Sequence, residues 1–241
     1  MVPLMLLAHL LGDYMLQPDI LVRWKYRSIL GVIAHGGIVT LTGLVFVLLL
    51  APEWWPYALL IGVTHTIIDV LRAQLLRPKR TSWELIWLLL DQLAHVGVII
   101  LVASLSSGPT VAGLRLPSGQ AIDARFWIYS LGFLILLHPA WVFLRFAARA
   151  IWGSTSIPPL PNGEKYGPML ERVLIAALIV AGQFFLIPLV VLATRVQNVY
   201  TQSDGLLLYI DFPRHRAEAF MSILLAMVVG VLLLLFRTGV L

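Results

Sequence analysis

Long apolar runs recur along this chain, and they constrain its fold more than any other feature of the sequence. Most are about 20 residues long, the length that an α-helix needs to cross the hydrocarbon core of a bilayer. Of all residues, 60% are hydrophobic and only 12% are charged, whereas a soluble domain carries about 25% charged residues. The sequence therefore predicts an all-α, polytopic integral membrane protein.

The apolar residues divide into seven segments. They cover residues 2–17, 28–50, 56–76, 83–104, 126–150, 168–193 and 217–237. Pro18 is expected to end the first segment, because proline interrupts the hydrogen bonding of a helix. We predict one transmembrane domain over residues 1–241, with a four-helix part at 1–104 and a three-helix supporting part at 126–241.

Basic residues are concentrated after the first, third, fifth and seventh segments. Two such clusters are Arg23, Lys25 and Arg27, and Arg77, Lys79 and Arg80. Because basic loops stay in the cytoplasm, we predict an outward N-terminus and a cytoplasmic C-terminus. Of the long connections, 153–167 is expected on the cytoplasmic side and 196–216 on the outer side.

The composition also excludes several classes of function. The chain has no cysteine, which excludes disulfides, thiolate catalysis and iron–sulfur clusters. We find no P-loop, no G-x-S-x-G sequence and no dinucleotide fingerprint. The net charge of +5 is explained by loops that orient a membrane protein, so we expect no nucleic-acid partner.

Three pairs of histidine and aspartate share a four-residue spacing. Residues four apart on a helix lie on one face, about 6 Å apart along the axis. The pairs are His9 with Asp13, His65 with Asp69, and Asp91 with His95, and His35 adds a further imidazole. Their positions in the four segments place these groups roughly 10–15 Å inside the cytoplasmic boundary. The spacing and depth predict one polar layer.

That layer needs positive charge. An ionised aspartate at the centre of a transmembrane helix costs about 2.5–3.5 kcal/mol, and no lysine or arginine occurs between Ser28 and Leu71. One or two divalent metal ions would neutralise the carboxylates and use the imidazoles, with zinc favoured and iron or manganese as alternatives. The predicted metal ligands are His9, Asp13, His65, Asp69, Asp91 and His95.

A metal ion held at this depth suggests hydrolysis. A divalent ion makes bound water a competent nucleophile near neutral pH and stabilises the leaving oxygen. We expect His35 to act as an acid/base group or as a further ligand. Glu171 is a candidate general base, with Glu218 as a second spare carboxylate. The expected substrate is amphiphilic, such as a phosphoester, amide or ester near a lipid headgroup.

The chain resembles an uncharacterised bacterial family of polytopic membrane proteins, domain of unknown function 3307. The resemblance is carried by "AHLLGDYMLQPD" (8–19), "IAHGG" (33–37), "THTIID" (64–69) and "LDQLAH" (90–95). It extends to "GPMLERVLIAALIVAGQ" (167–183) and "RAEAF" (216–220), whereas Arg195 and Ser222-Ile223 depart from the family pattern. The motif style is also similar to membrane-bound metal-dependent hydrolases with His-x-x-x-Asp pairs. The resemblance implies a bacterial cytoplasmic membrane protein.

Other functions fit the same residues. Intramembrane aspartates and histidines also form ion, proton or metal transport pathways. Two histidines on different helices can hold a b-type haem. The layer can also be structural in an accessory subunit, with Asp69 paired to Arg72 and no metal. Membrane lipids are the expected partners in every case, and the sequence leaves the oligomeric state open.

Overall fold

A computed structural model describes residues 1–75, 83–106, 113–152, 166–201 and 212–240, and the described part is almost entirely helical. The helices are α1 (Val2–Leu10), α2 (Asp19–Arg27), α3 (Ile29–Leu50), α4 (Trp55–Leu75), α5 (Glu84–Leu105), α6 (Ala124–Leu136), α7 (His138–Trp152), α8 (Tyr166–Val180), α9 (Ile187–Thr201) and α10 (Phe212–Thr238). A π-helical turn, Leu11–Met15, directly continues α1.

Within the described part of the chain, four helical stretches are long and apolar enough to cross a membrane. They are Ile29–Leu50, Pro52–Ala73, Glu84–Leu105 and Ala217–Thr238, and the bent pair Ala124–Leu136 and His138–Ile151 could form a fifth. Large apolar side chains such as Leu41, Ile67 and Leu93 are exposed on these stretches, as expected for lipid-facing positions. The chain is thus an integral membrane protein. The seven spans and the direction of the termini remain predictions.

Two predicted boundaries differ from the structure. Segment 168–193 is divided between α8 and α9, because α8 ends in a glycine cap: Gly182 has a φ of 74°, and Gln183 N–H donates to Leu178 O at 2.8 Å. This pairing beyond a left-handed glycine is a common helix stop. The predicted loop 196–216 is partly helical, since α9 ends at Thr201 and α10 begins at Phe212. Most of 153–167 lies outside the described residues.

Residues 19–27, predicted as a connection, form the helix α2. Pro18 precedes it in an extended conformation, Asp19 stands in its first turn, and Lys25 and Arg27 stand in its last turn. Acidic residues at the start and basic residues at the end of a helix favour its dipole. The basic cluster that indicated topology therefore belongs to a short amphipathic helix.

The chain divides into two compact units, Met1–Leu134 and Ile135–Leu241. In the first unit α3 is central: α1, α2 and α4 all pack on it, and α5 contacts α4 and α1. In the second unit α8 and α10 form the closest helix pair, with α7 and α9 against them. The division falls within α6, and the predicted parts at 1–104 and 126–241 of one transmembrane domain stay a prediction.

The contact between α3 and α4 depends on two reciprocal glycine–threonine pairs. A Cβ atom on Gly36 would lie 2.8 Å from Thr66 Cβ, and one on Gly62 would lie 2.6 Å from Thr40 Cβ. Each threonine hydroxyl donates to the glycine carbonyl four residues earlier on its own helix: Thr40 to Gly36 O at 2.7 Å and Thr66 to Gly62 O at 2.9 Å. Small residues of this kind let membrane helices approach closely.

Replacing Gly36 by alanine should destabilise the protein. The added methyl group would collide with Thr66, and such overpacking typically costs about 1–3 kcal/mol. Gly37 is the matched control, because nothing lies within 4 Å of a Cβ added there. Thermal unfolding in detergent should show a lower midpoint for Gly36→Ala and no loss for Gly37→Ala. Equal midpoints for the two variants would contradict close packing at Gly36.

In the second unit, Arg172 compensates for the interruption between α6 and α7. Pro139 has no backbone N–H to continue the helix, and α6 ends at Leu136. Buried Arg172 donates through Nε to Leu136 O at 2.7 Å and through Nη2 to Leu137 O at 3.2 Å. Its Nη1 donates to Ser222 Oγ at 3.0 Å. One guanidinium group thus satisfies two carbonyls at the break and joins α8 to α10.

Arg172→Met should weaken the second unit strongly. The substitution would leave Leu136 O without its side-chain donor, whereas Leu137 O would keep the hydrogen bond from Trp141 N–H at 3.2 Å; losing the donor to the buried carbonyl costs on the order of 3 kcal/mol. Arg172→Lys should recover only part of the stability, because an ammonium group lacks the planar fork of donors. Thermal unfolding in detergent measures both, with Arg125→Met at an exposed position as the control. A harmless Arg172→Met would show that water replaces the guanidinium.

Candidate metal centre

All four histidines and three aspartates of the predicted layer converge inside the first unit. They come from α1 with its π turn, α3, α4 and α5, and all are buried. The cluster consists of His9, Asp13, His35, His65, Asp69, Asp91 and His95, and we call it the histidine–aspartate cluster. Polar side chains in membrane helices avoid lipid, so the one-face spacing turns each pair inward.

The four imidazole rings are in mutual contact, with His65 at their centre. The ring of His65 lies 4.2 Å from that of His95, 5.3 Å from that of His9 and 5.4 Å from that of His35, measured between centroids. The rings of His9 and His95 are stacked at 5.3 Å. Such dense contact leaves no space between these rings for a porphyrin.

Three possible ligand atoms lie close to His35 Nε2. His35 Nε2 lies 2.9 Å from Asp13 Oδ1, 3.4 Å from Asp69 Oδ2 and 3.5 Å from His65 Nε2. His65 Nε2 lies 3.7 Å from Asp69 Oδ2. Two ligands bound at about 2.0–2.1 Å to a tetrahedral ion are themselves about 3.3–3.4 Å apart. The spacing around His35 Nε2 is therefore close to that of a metal coordination shell.

Two groups among the described residues could each hold a metal ion. One comprises Asp13, His35 and His65, and the other comprises His65, Asp69 and His95; all are buried. Because His65 belongs to both groups, the geometry is compatible with one ion drawing on both sets or with two adjacent ions. His35, predicted as an acid/base group or a ligand, belongs to one of the groups that could hold an ion, and its role stays a prediction.

Several cluster atoms have no hydrogen-bond partner among the described residues. They include His35 Nδ1, His65 Nδ1, His95 Nδ1, His9 Nε2 and Asp91 Oδ1. Buried polar atoms are nearly always satisfied, and an exception calls for a ligand, an ion or water. This concentration of unsatisfied atoms in one cluster favours a bound species over simple packing.

His9 and Asp91 occupy positions beside the two groups. His9 Nε2 is 4.0 Å from Asp13 Oδ2, and the residue lines a cavity of about 10 Å³ together with Met5, Ala58 and Ile61. That volume is about the space that one water molecule needs. Asp91 Oδ2 accepts a hydrogen bond from Arg72 Nη1 at 2.7 Å. Their predicted roles as metal ligands remain predictions.

Asp13 is carried by the π turn that follows α1. Leu16 N–H donates to Leu11 O at 2.8 Å, five residues earlier, whereas an α-helix bonds four residues earlier. The turn packs on α3 at Gly12, where an added Cβ would lie 2.9 Å from Val39 Cα. π-helical turns occur frequently at functional sites. Here the turn brings the Asp13 carboxylate to His35.

Two cations reach the cluster from the helix ends. Lys25 Nζ on α2 lies 2.6 Å from Asp69 Oδ2, and Arg72 on α4 pairs with Asp91. The expectation that Asp69 pairs with Arg72 is thus corrected: each cation reaches across to another helix. The stretch between Ser28 and Leu71 has no lysine or arginine. Lys25 and Arg72 lie just outside that stretch and were therefore not predicted as partners across helices. The one available signal was the basic, amphipathic pattern of residues 19–27.

Gln92 is the second contributor that the sequence analysis did not single out. Its Nε2 donates to Asp13 Oδ2 at 3.1 Å and lies 3.4 Å from Asp91 Oδ2. It therefore connects a carboxylate on the π turn with one on α5. The available signal was the position of Gln92 directly after Asp91 in a membrane helix. Amide side chains in such helices usually form hydrogen bonds to neighbouring helices and do not face lipid.

The two spare carboxylates belong to the second unit. Glu171 is buried beside Arg172 on α8, and Glu218 lies 3.9 Å from Arg145. Neither metal-compatible group among the described residues includes a glutamate. The catalytic role predicted for Glu171 therefore remains a prediction.

Replacing Lys25 should destabilise the protein, because Asp69 would lose its ion-pair partner. The carboxylate is almost fully buried, and breaking a buried ion pair on one side costs up to about 3–5 kcal/mol. Lys25→Met should lower the unfolding midpoint in detergent, and adding Asp69→Asn should restore part of it. A double-mutant cycle measures this coupling. Arg23→Met, at an exposed position of the same helix, is the control. Strictly additive effects of Lys25→Met and Asp69→Asn on the unfolding midpoint would contradict the ion pair.

Helical spans around a buried histidine–aspartate cluster define the class: an integral membrane protein whose polar centre has the residues to bind metal. Residues 1–115 match the model of a family described as "Protein of unknown function (DUF3307)". This stretch belongs to that family, and it contains the whole cluster. The predicted likeness of residues 167–183 and 216–220 lies beyond the match. No curated protein and no solved structure matches the chain.

Proposed function

We propose that the protein is a metal-dependent hydrolase of the bacterial cytoplasmic membrane that acts on lipid-like, amphiphilic substrates. The proposal includes seven spans, an outward N-terminus and a cytoplasmic C-terminus. The observation that carries it is the spacing of possible ligand atoms around His35 Nε2, 2.9–3.5 Å. This spacing is close to that of ligands around one tetrahedral ion. Zinc suits the mixed nitrogen and oxygen ligands, with iron or manganese as alternatives.

The roles that we propose follow from position. Asp13, His35, His65, Asp69 and His95 would bind one or two divalent ions. Bound ions would supply a water molecule that is deprotonated near neutral pH and stabilise developing charge on the substrate. Hydrolysis joins the water oxygen to phosphorus or to a carbonyl carbon, breaks the bond to the leaving group, and gives that group a proton.

His9 is the best-placed residue to handle that proton. It borders the water-sized cavity, and its Nε2 has no hydrogen-bond partner among the described residues. A general acid or base must reach the proton directly or through one water molecule. We therefore assign proton transfer to His9 and metal binding to His35.

The ion pairs favour a second candidate function. Lys25 and Arg72 already neutralise Asp69 and Asp91, so most of the cluster's negative charge is compensated without metal. This observation supports an accessory subunit with a structural cluster, or a protein that transports ions or protons through it. A transporter differs from a hydrolase in binding metal or protons without turnover.

Metal analysis separates these candidates. Wild-type protein purified in neutral detergent and equilibrated with zinc or manganese should retain one or two ions per chain. His65→Ala should lower the affinity at least tenfold, because His65 belongs to both groups and loss of a ligand removes a coordination bond. His138→Ala, outside these groups, should retain the wild-type metal content.

The same preparations test hydrolysis. Metal-loaded protein should cleave a lipid-like phosphoester, amide or ester, lose activity with a chelator, and recover when metal is returned. Bound metal without turnover on any of these substrate classes would support the transporter. Wild-type protein without stoichiometric metal, and unaffected in stability by Asp69→Asn, would leave only the accessory role.

A further inference from the structure

Lys25 and Arg72 lie between the histidine–aspartate cluster and the surface of the first unit. Their side chains are 21% and 29% exposed, whereas those of Asp69 and Asp91 are 1% and 5% exposed. Each cation therefore joins the buried carboxylate layer to the surface of the first unit. A ligand that approaches the cluster on this side meets the ammonium and guanidinium groups before the carboxylates.

The surroundings of Lys25 place this surface at the level of lipid headgroups. Helix α2 exposes Ile20 and Trp24 at 70% and 46%, while Arg23 and Arg27 are also exposed. A short helix with apolar and basic exposed residues is typical of the membrane interface, where tryptophan is enriched. Lys25 leaves this surface and turns towards Asp69 on α4.

The charge of the cluster changes sign when a metal ion binds. With neutral histidines, the three aspartates, Lys25 and Arg72 carry one net negative charge. One divalent ion converts this to one net positive charge. An uncompensated charge in a low-dielectric site is costly. The metal-loaded cluster therefore favours a bound group with a single negative charge, which an anionic substrate supplies before the bound water is deprotonated, whereas a neutral ester or amide does not.

We infer that Lys25 and Arg72, together with the bound ion, form a recognition site for a phosphate group, so that the substrate is a phosphoester. A phosphodiester carries the single negative charge that the loaded cluster requires. Arginine binds phosphate oxygens through paired donors, and lysine binds them as a point charge. In the absence of phosphate, Lys25 and Arg72 form ion pairs with Asp69 and Asp91. This inference rests on metal binding as proposed above.

Inorganic phosphate is the first probe. Titration calorimetry on zinc-loaded full-length protein in neutral detergent should show saturable phosphate binding, at least tenfold weaker in metal-free protein. Lys25→Met and Arg72→Gln should each weaken binding about tenfold, and Lys25→Arg should retain it. Arg23→Gln, on the exposed face of α2, is the matched control and should bind as the wild type does. If Lys25→Met fails to fold, phosphate binding by Arg72→Gln, and by zinc-loaded compared with metal-free wild-type protein, still tests the site.

Short-chain lipids identify the source of the phosphate group. If a lipid headgroup is the ligand, short-chain phosphatidylglycerol should displace inorganic phosphate at concentrations at least tenfold below those of free phosphate. If free phosphate is the ligand, inorganic phosphate should bind as tightly as the lipid. Either result supports a phosphate site, whereas equal displacement by a phosphate-free diacylglycerol of the same chain length overturns it.

Three outcomes contradict the inference in distinguishable ways. Stoichiometric zinc without phosphate binding overturns the phosphate site and leaves the metal-dependent hydrolase standing. Absence of bound zinc, iron and manganese overturns both proposals. Phosphate binding that is equal in metal-free protein, or equally weakened by Arg23→Gln, identifies an adventitious ion only and overturns the site.

Discussion

Burial of three carboxylates among membrane-spanning helices is the constraint on which the rest of the first unit depends. Each aspartate has a polar partner: His35 is hydrogen-bonded to Asp13, Lys25 forms an ion pair with Asp69, and Arg72 forms one with Asp91. An ionised carboxylate that faced lipid would cost about 2.5–3.5 kcal/mol on insertion scales. These interactions join the π turn, α2, α3, α4 and α5, so the cluster determines which helices must be neighbours.

Close packing makes that compensation geometrically possible. Gly36 and Gly62 let α3 and α4 approach until each glycine faces a threonine of the other helix, and Gly12 brings the π turn against α3. His35, His65 and Asp69 lie on this same helix pair, so their separations follow from the backbone approach. A larger residue at Gly36 or Gly62 would separate α3 from α4 and enlarge the distances between His35 and the cluster residues of α4. In this unit the packing of the helices therefore also determines the distances between the polar groups of the cluster.

Sequence patterns predicted the membership of the cluster better than its internal pairing. The four-residue spacing and the cost of exposing polar groups to lipid were enough to bring the histidine–aspartate pairs together. They did not indicate that Lys25 crosses to Asp69 or that Arg72 prefers Asp91, because those contacts depend on the path of α2 and on side-chain reach across helices. The division of segment 168–193 was missed because apolar composition continues through Gly182, whose left-handed backbone ends α8. Ser222 accepts a hydrogen bond from Arg172, a tertiary contact that no local pattern indicates.

The π turn at Leu11–Met15 gives one of the three histidine–aspartate pairs a different backbone, although the side chains of all three pairs are 3.7–4.0 Å apart. His65 and Asp69, like Asp91 and His95, stand on regular α-helical turns, whereas the step from His9 to Asp13 enters a wider turn with more residues per revolution. Identical intervals in the sequence therefore do not produce equivalent half-sites. Asp13 is directed to the imidazole of His35, and His9 is left facing the small cavity. The two side chains of this pair therefore stay close to each other but have different neighbours, so that the carboxylate belongs to the metal-compatible group and the imidazole borders the cavity.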